Sequence, residues 1–163
     1  MNERKCVFAG TFDPPPLGHK QIVEDALKVF DKVVVAIMVN PEKTPAFTAE
    51  QRKKMLELTL GKSERVETIE FWGSAAELCE KVSAVAYVRG IRNSTDFDYE
   101  TANFYATQKL NANVLPVYFP CRQDLLHISS SAVRTLLKFN KPLDGYVTEE
   151  VKEFLLSTKE KTE

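Results

Sequence analysis

A short segment near the start of the chain, AGTFDPPPLGHKQ at 9–21, combines residue types that suit phosphate chemistry. Gly10 has no Cβ to obstruct a ligand, three consecutive prolines stiffen the turn, and His19 stands where the next helix would begin. Backbone N–H groups and the dipole at a helix start attract an anion. A proline-rich turn with a solvated histidine would have the same composition. Neither GxxxxGK[ST] nor GxGxxG occurs, so the segment is not a P-loop or a dinucleotide-binding loop.

Three basic side chains follow apolar runs farther along the chain. Arg89 and Arg92 bracket two residues directly after AVAYV, a spacing that lets two guanidinium groups converge on neighbouring phosphate oxygens. Lys43, in the loop NPEKTP, follows another apolar run. The alternative for the lysine is a solvated side chain. The alternative for the arginines is surface pairing with acidic neighbours, namely Asp96, Asp98 or Glu100.

A second anion site is predicted at HISSSAVR, residues 127–134. Serine hydroxyls cap a helix and leave backbone donors free for a phosphate, and three serines exceed what capping alone requires. Glu100 could accept a hydrogen bond from adenine or ribose, or could simply interact with a helix dipole. A catalytic triad of Ser129, His19 and Asp13 is disfavoured because GxSxG is absent and the aspartate adjoins a proline.

Hydrophobic periodicity places these candidates on alternating strands and helices. Strands are predicted at 5–9, 31–39, 65–72, 84–90 and 113–120, and helices at 19–30, 47–60, 74–82, 96–110, 129–139 and 148–158. The run VVVAIMV lacks polar alternation, which is typical of a parallel strand covered on both faces. Thr48 and Gln51 form a capping-box pattern at the second helix.

This alternation predicts an α/β fold: a single-domain, Rossmann-like parallel sheet of five strands with helices on both faces. The domain is predicted to span residues 1–157, followed by a charged tail at 158–163. Ligands of such sheets bind outside the carboxyl ends of the strands, where the strand order reverses. The segments that contain His19, Lys43 and Arg89 all follow strands, so we expect them to meet at that edge.

Composition narrows the function classes. The formal net charge of −1 provides no global field for nucleic acid or an anionic membrane, so neither is expected as a partner. No apolar run is long enough to span a bilayer, and the first residues do not resemble a signal peptide, so the expected location is the cytoplasm. The three cysteines (Cys6, Cys79 and Cys121) lack CxxC spacing, which predicts buried, reduced thiols and no structural metal.

The order of the motifs carries a resemblance. GTFDP followed by GH, then NPEKTP, then VRGIRNSTDFDYE and finally ISSS occur in the order found in bacterial phosphopantetheine adenylyltransferases, members of the nucleotidylyltransferase superfamily. The resemblance covers about residues 5–157. The first and last motifs mark the superfamily, whereas the arginine-rich segment and the lysine loop are particular to this family.

The resemblance implies transfer of an adenylyl group from ATP to 4'-phosphopantetheine, giving dephospho-coenzyme A and pyrophosphate. It implies catalytic roles for Thr11, His19, Lys43 and Arg92. Contacts with phosphopantetheine are implied for Thr11, Lys43, Ala75 and Arg89. Contacts with ATP are implied for Gly10, Thr11, Phe12, His19, Gly90, Ile91, Arg92, Glu100, His127, Ile128, Ser129, Ser130 and Ser131.

The resemblance also implies Mg²⁺ bound together with ATP, coenzyme A as a further ligand, and a hexameric homo-oligomer. Three segments depart from the pattern, and one of them is GSAAELC at 73–79, whose side chains are smaller than those of the leucine-rich family version beside the pantetheine arm. Pro16 replaces the polar residue at the start of [HT]xGH, and the stretch PCRQDLLH before Ile128 lacks the usual aromatic residue. The alternatives are a nicotinate-mononucleotide adenylyltransferase, which the arginine-rich segment disfavours, and a module that binds ATP without reacting it.

Overall fold

The computed structural model describes residues 3–160, with side chains described as far as residue 158. Five strands form one sheet in the order β3-β2-β1-β4-β5, and every neighbouring pair is parallel. The strands are β1 (Lys5–Gly10), β2 (Lys32–Met38), β3 (Val66–Phe71), β4 (Ala86–Ile91) and β5 (Leu115–Pro120). The α/β fold with a parallel five-stranded sheet is thus confirmed.

Six α-helices connect and cover these strands. They are α1 (Leu17–Val29), α2 (Ala49–Leu60), α3 (Ala75–Lys81), α4 (Ser94–Leu110), α5 (Ser130–Lys138) and α6 (Glu149–Glu160). All of the predicted strands and helices are present, and the predicted Thr48–Gln51 capping box forms at the start of α2. A second box at Ser74–Glu77 and a 3₁₀ turn at Gln123–Leu125 were not predicted.

The apolar run of β2 divides between two cores. Val33, Val35 and Ile37 pack on one face of the sheet with α1 and α2, whereas Val34 and Ala36 pack on the other face with α3. Both sets of side chains are almost completely buried. Because side chains of a strand alternate between faces, a strand covered on both sides needs apolar residues throughout.

A third core fixes the last two helices against α2. Met55 of α2 packs with Val133 of α5 and with Val151 and Leu155 of α6. This packing holds α5, whose first residues are the predicted serines, beside the carboxyl end of β1. Helix α6 runs three residues past the predicted domain boundary, and the end of the predicted tail, residues 161–163, lies outside the described residues.

The strand order reverses between β1 and β4, which are neighbours in the sheet although two strands separate them in the chain. The connections after β1 and β4 therefore leave the sheet in different directions and open a crevice between them. Within the part of the chain that the structure describes, no helix combines the length and apolarity needed to cross a membrane.

Candidate active site

A cleft of about 300 Å³ lies at the carboxyl edge of the sheet, at the reversal between β1 and β4. It brings together side chains from both strands, the start of α1, the start of α4, the end of β5 and the start of α5. Its lining consists of Phe8, Ala9, Gly10, Thr11, Phe12, Pro16, Gly18, His19, Ile22, Arg89, Gly90, Arg92, Asp96, Glu100, Cys121, Leu125, Ile128, Ser129 and Ser130.

The imidazole of His19 is held by two phenylalanine rings at the start of α1. The ring of Phe12 meets it edge to face at 4.9 Å, and the ring of Phe8 does so at 5.7 Å between centroids. Burial lowers the pKa of His19 to about 3, and the positive charges of Arg89 and Arg92 add to this effect. The imidazole is therefore neutral near pH 7, where it can donate one N–H hydrogen bond but carries no charge.

The turn before α1 is shaped by packing around Phe12. This residue is almost fully buried and has a φ of 51°, in the left-handed region that bulky residues rarely adopt. A Cβ on Gly10 would lie 3.3 Å from the Phe12 ring, so a larger residue would require the ring to shift slightly. Pro16 occupies the N-cap of α1 without any side-chain cap and lines the cleft.

Both predicted arginines line the cleft and also pair with acidic neighbours. Arg89 donates to the carbonyl of Ala9 at 2.6 Å and to Glu100 Oε1 at 2.6 Å. Arg92 donates from Nε to Asp96 Oδ2 at 3.0 Å, which lowers the pKa of Asp96. The predicted pairing with acidic neighbours is therefore present, and these ion pairs hold both guanidinium groups at the edge of the cleft.

The three serines differ in position. Ser129 caps α5 by accepting from the N–H of Ala132, and Ser130 donates to the carbonyl of Pro14 at 2.8 Å. Both of them line the cleft. Ser131 accepts from Arg134 and is exposed, and it does not line the cleft.

Four other predicted residues also lie outside the lining. Lys43 is exposed in the loop after β2, and Ala75 is the first residue of α3. His127 lines a neighbouring cavity, where its ring meets that of Tyr146 at 5.4 Å. Ile91 ends β4. The structure therefore gathers most of the candidates that follow β1, β4 and β5 and leaves those after β2 and β3 outside this cleft.

Several lining residues were missed by the sequence reasoning, although a signal existed for some of them. Cys121 comes directly after β5, and Asp96 belongs to the first turn of α4, so both stand at the edge where ligands are expected. Cys121 is only partly buried, which corrects the expectation of three buried thiols; Cys6 and Cys79 are buried and all three are free. Phe8 and Ile22 carry apolar side chains that suit a core equally well.

Three buried polar side-chain atoms in the described residues have no hydrogen-bond partner: His19 Nδ1, Arg89 Nε and Thr101 Oγ1. Two of them belong to residues of the cleft. Buried polar groups in proteins are nearly always bonded, either to other protein groups or to ordered water. Within residues 3–160, no group of three His, Cys, Asp or Glu side chains is arranged to hold a metal ion.

Comparison with known proteins assigns the chain to a family. The model of the cytidylyltransferase-like family matches residues 7–136. A phosphopantetheine adenylyltransferase from Streptococcus pneumoniae (strain JJA) is 36% identical over 160 residues, 98% of this chain and 99% of the relative. The enzyme of the same name from Natranaerobius thermophilus is 31% identical over 94% of each chain.

A solved structure shares the fold. The chain described as "a Putative Nicotinate-nucleotide Adenylyltransferase" from Vibrio parahaemolyticus superposes with a TM-score of 0.74 at 22% identity, over 96% of this chain and 93% of that one. At this identity the likeness concerns the fold alone. Near-full-length relatives at 31–36% identity and a family model that spans the cleft lead to one assignment: the chain belongs to the cytidylyltransferase-like family and, within it, to the phosphopantetheine adenylyltransferases.

Proposed function

We propose that this protein transfers the adenylyl group of ATP to 4'-phosphopantetheine, with dephospho-coenzyme A and pyrophosphate as products. The observation that carries the proposal is the convergence of Arg89, Arg92 and a neutral His19 on one cleft at the strand-order reversal. Both reactants carry phosphate, and the cleft offers cationic and N–H donors to it. The names of the relatives support phosphopantetheine as the acceptor.

The reaction needs no nucleophile from the protein. An oxygen of the acceptor phosphate forms a bond to the α-phosphorus of ATP, the bond from that phosphorus to the bridging oxygen breaks, and pyrophosphate leaves with the electron pair. Positioning and charge stabilisation therefore account for the catalysis. His19 and Thr11 hold the α-phosphate, and a neutral imidazole donates its N–H to the oxygen on which charge develops.

The two phosphate groups are assigned to different cations. Arg89 and Lys43 hold the acceptor phosphate, while Arg92 holds the β- and γ-phosphates together with Ser129, Ser130 and Ser131. Arg89 suits this role because it lines the cleft and its guanidinium is held there by the Ala9 carbonyl and Glu100. The exposed position of Lys43 fits an acceptor that reaches the cleft from the side of β2, along Ala75.

The nucleotide is assigned to Gly10, Phe12, Gly90, Ile91, Glu100, His127 and Ile128. Mg²⁺ enters with the triphosphate of ATP. The two carboxylates that line the cleft, Asp96 and Glu100, are already bonded to arginines, so the oxygen ligands that Mg²⁺ prefers come from phosphate, water and hydroxyl groups.

The proposal includes a homo-oligomer, a hexamer by resemblance, located in the cytoplasm. Apolar side chains on and beside α4 support an interface: Tyr99, Tyr105, Leu110 and Leu115 are 61–71% exposed. Exposed apolar surface of this kind is typical of protein interfaces. Light scattering coupled to size-exclusion chromatography measures the mass of the assembly directly, and a monomer would contradict this part of the proposal.

The decisive experiment is a pyrophosphate-release assay with ATP and Mg²⁺, in which 4'-phosphopantetheine and nicotinate mononucleotide are offered separately. We expect release with phosphopantetheine alone and dephospho-coenzyme A among the products. Release with nicotinate mononucleotide alone would overturn the acceptor assignment. Binding of ATP without release in either case would contradict the proposed reaction as a whole.

A further inference from the structure

The loop that contains Lys43 is tied to the turn before α1 by a buried aspartate. Asp13 accepts from the N–H of Ala46 at 2.8 Å through Oδ2 and from the N–H of Phe47 at 3.0 Å through Oδ1. The residue is only 6% exposed. Both carboxylate oxygens of Asp13, in the turn before α1, are therefore bonded to backbone N–H groups of the loop that contains Lys43. The two bonded residues lie three and four positions after Lys43.

A buried arginine of α2 also forms hydrogen bonds with both the lysine loop and the turn before α1. Arg52 is 3% exposed, and it donates from Nε to the carbonyl of Phe47 at 3.1 Å and from Nη1 to the carbonyl of Thr11 at 2.8 Å. The peptide groups on both sides of Phe47 are thereby fixed: its N–H by Asp13 and its carbonyl by Arg52. Together these contacts close a ring between the two loops.

Burying the charged side chains of Asp13 and Arg52 costs free energy, which their hydrogen bonds to the loops offset. Burying an ionised group is unfavourable unless hydrogen bonds replace its hydration. Asp13 and Arg52 form no ion pair with each other within 4.0 Å, and both are hydrogen-bonded to loop backbone. The charge of Asp13 is also met by Arg134 of α5, whose Nη1 lies 3.9 Å from Asp13 Oδ2. Neither residue lines the cleft, and both are buried.

We propose that Asp13 and Arg52 are positioning residues that fix the lysine loop, residues 39–48, relative to Thr11 and His19. The inference rests on the proposed function, because it assigns Lys43 to the acceptor phosphate and the turn before α1 to the α-phosphate. These contacts of Asp13 and Arg52, called the clamp below, then set the distance between the acceptor phosphate and the α-phosphate of ATP. Misplacement by about 1 Å can lower a rate by about 10²-fold.

The first test replaces Arg52 with methionine, which has a similar length but no donors. We expect the KM for phosphopantetheine to rise by about tenfold or more and kcat to fall, while the dissociation constant of ATP stays within about threefold. Arg65→Met is the matched control, because Arg65 donates to the carbonyls of Leu27, Phe30 and Asp31 at the opposite edge of the sheet. Equal kinetic effects of the two variants would overturn the proposal.

A double-mutant cycle separates positioning from general loosening. Lys43→Ala should raise the KM for phosphopantetheine in the wild type but change it by less than about twofold in Arg52→Met, because an unpositioned lysine has little left to lose. Fully additive effects would contradict the clamp. If Arg52→Met does not fold, Arg52→Lys retains the charge but not the two-pronged contact, and it enters the same cycle.

Wild-type turnover distinguishes failure of the clamp from failure of the proposed function. If the wild type uses nicotinate mononucleotide instead, the same variants are measured with that acceptor. Hydrogen exchange gives a further measurement that needs no turnover: Arg52→Met should accelerate exchange at the amides of Ala46 and Phe47 but not at 27–31, and Arg65→Met should do the reverse. Unchanged exchange at 46–47 in Arg52→Met would also overturn the proposal.

Discussion

The two edges of the sheet use arginine in the same way but to different ends. At the amino edge, Arg65 donates to three backbone carbonyls at 2.6–2.9 Å, and Lys32 pairs with Glu67 at 2.7 Å. At the carboxyl edge, Arg52 and Arg89 also donate to carbonyls, but they do so beside a cleft. At the amino edge the contacts join elements of the fold, whereas at the carboxyl edge they also position groups that line the cleft.

Unsatisfied groups show the difference most clearly. His19 Nδ1 and Arg89 Nε lack partners although both atoms are buried, and Phe12 has a left-handed backbone. Strained or unsatisfied groups persist only where the surrounding structure enforces them, and they concentrate at functional sites. Left-handed backbone is not confined to the carboxyl edge, since Ser83 before β4 has a φ of 55°. What distinguishes the carboxyl edge is that two of the unpaired atoms belong to residues of the cleft.

The largest expected effect comes from His19→Asn. Asparagine keeps an N–H donor but cannot place it where the imidazole does, so kcat should fall by about 10²–10³-fold. The dissociation constant of ATP should change by less than about threefold, because the group acts mainly on charge that develops during the reaction. Steady-state kinetics and equilibrium binding of ATP measure the two effects separately.

The matched control for this variant is Lys32→Met at the amino edge, which removes the ion pair with Glu67 and should leave kcat within about twofold. A His19→Asn enzyme that retained more than about a tenth of the wild-type kcat would contradict the catalytic role. It would also remove the main distinction between the two edges.

Gly90→Ala tests how tightly the cleft floor is packed. A Cβ at this position would lie 3.0 Å from Cγ1 and 3.1 Å from Cδ1 of Ile22, so we expect a loss of about 1–3 kcal/mol in the free energy of unfolding. Gly18→Ala is the control, since its Cβ would meet nothing within 4 Å. Urea denaturation measures both variants, and an equally small effect for the two would refute the packing argument.

The cost of Gly90→Ala should fall when Ile22 is also replaced by alanine, because the two side chains would then share the available space. If the loss is the same in both backgrounds, the strain does not arise from Ile22.

Much of this architecture was predictable because it depends on local patterns. The β-branched run of β2 and the helical spacing of α1 gave the element order, and the rule for parallel sheets placed His19 and Arg89 at one edge. The buried roles of Asp13 and Arg52 were not predictable. Their partners are backbone atoms, most of them 33–41 residues away, and backbone groups leave no signature in side-chain type.

Distance along the chain also explains the partial prediction of the serines. One capping serine is a local feature, whereas the bond from Ser130 to Pro14 and the exposure of Ser131 depend on how α5 docks. Arg89 and Arg92 each pair with an acidic residue and also line the cleft. The sequence presented these two positions as alternatives, because it does not show that one side chain can occupy both.

The pH dependence of stability provides the next test of the carboxyl edge. The pKa of His19 lies near 3 in the folded protein and near 6.5 when unfolded, so protons bind the unfolded state first as the pH falls. The stabilisation that comes from keeping His19 neutral is complete above about pH 6.5 and is lost as the pH falls toward 3. We therefore expect the free energy of unfolding to be about 2 kcal/mol lower at pH 5 than at pH 7. Chemical denaturation at both pH values measures it.

His19→Asn should lack this part of the pH dependence, and the difference between the two proteins isolates the histidine from the carboxylates. Identical slopes for the two proteins between pH 7 and pH 5 would show that the imidazole is solvated and titrates normally. The donor at the cleft would then be a cation below about pH 6.5.

The smallest expected effect is a gain at Pro16, which lines the cleft at the carboxyl edge without a polar side chain. Pro16 is the N-cap of α1 and lines the cleft, but it forms no side-chain cap. In Pro16→Thr, the hydroxyl can accept from the N–H of His19, which now bonds the carbonyl of Pro16 at 3.0 Å, and it can face a phosphate. A threonine N-cap contributes about 1 kcal/mol, partly offset by the loss of proline rigidity.

We therefore expect kcat/KM for ATP to rise by about threefold, with a free energy of unfolding within about 1 kcal/mol of the wild type. Pro16→Val is the matched control, since it removes the ring and has the shape of threonine without its hydroxyl. If valine raises kcat/KM as much as threonine does, release of the rigid turn is the cause and no hydroxyl is missing. If neither variant changes kcat/KM for ATP, the donors already at the cleft suffice for the triphosphate. Pro16 then acts only by stabilising the turn before α1.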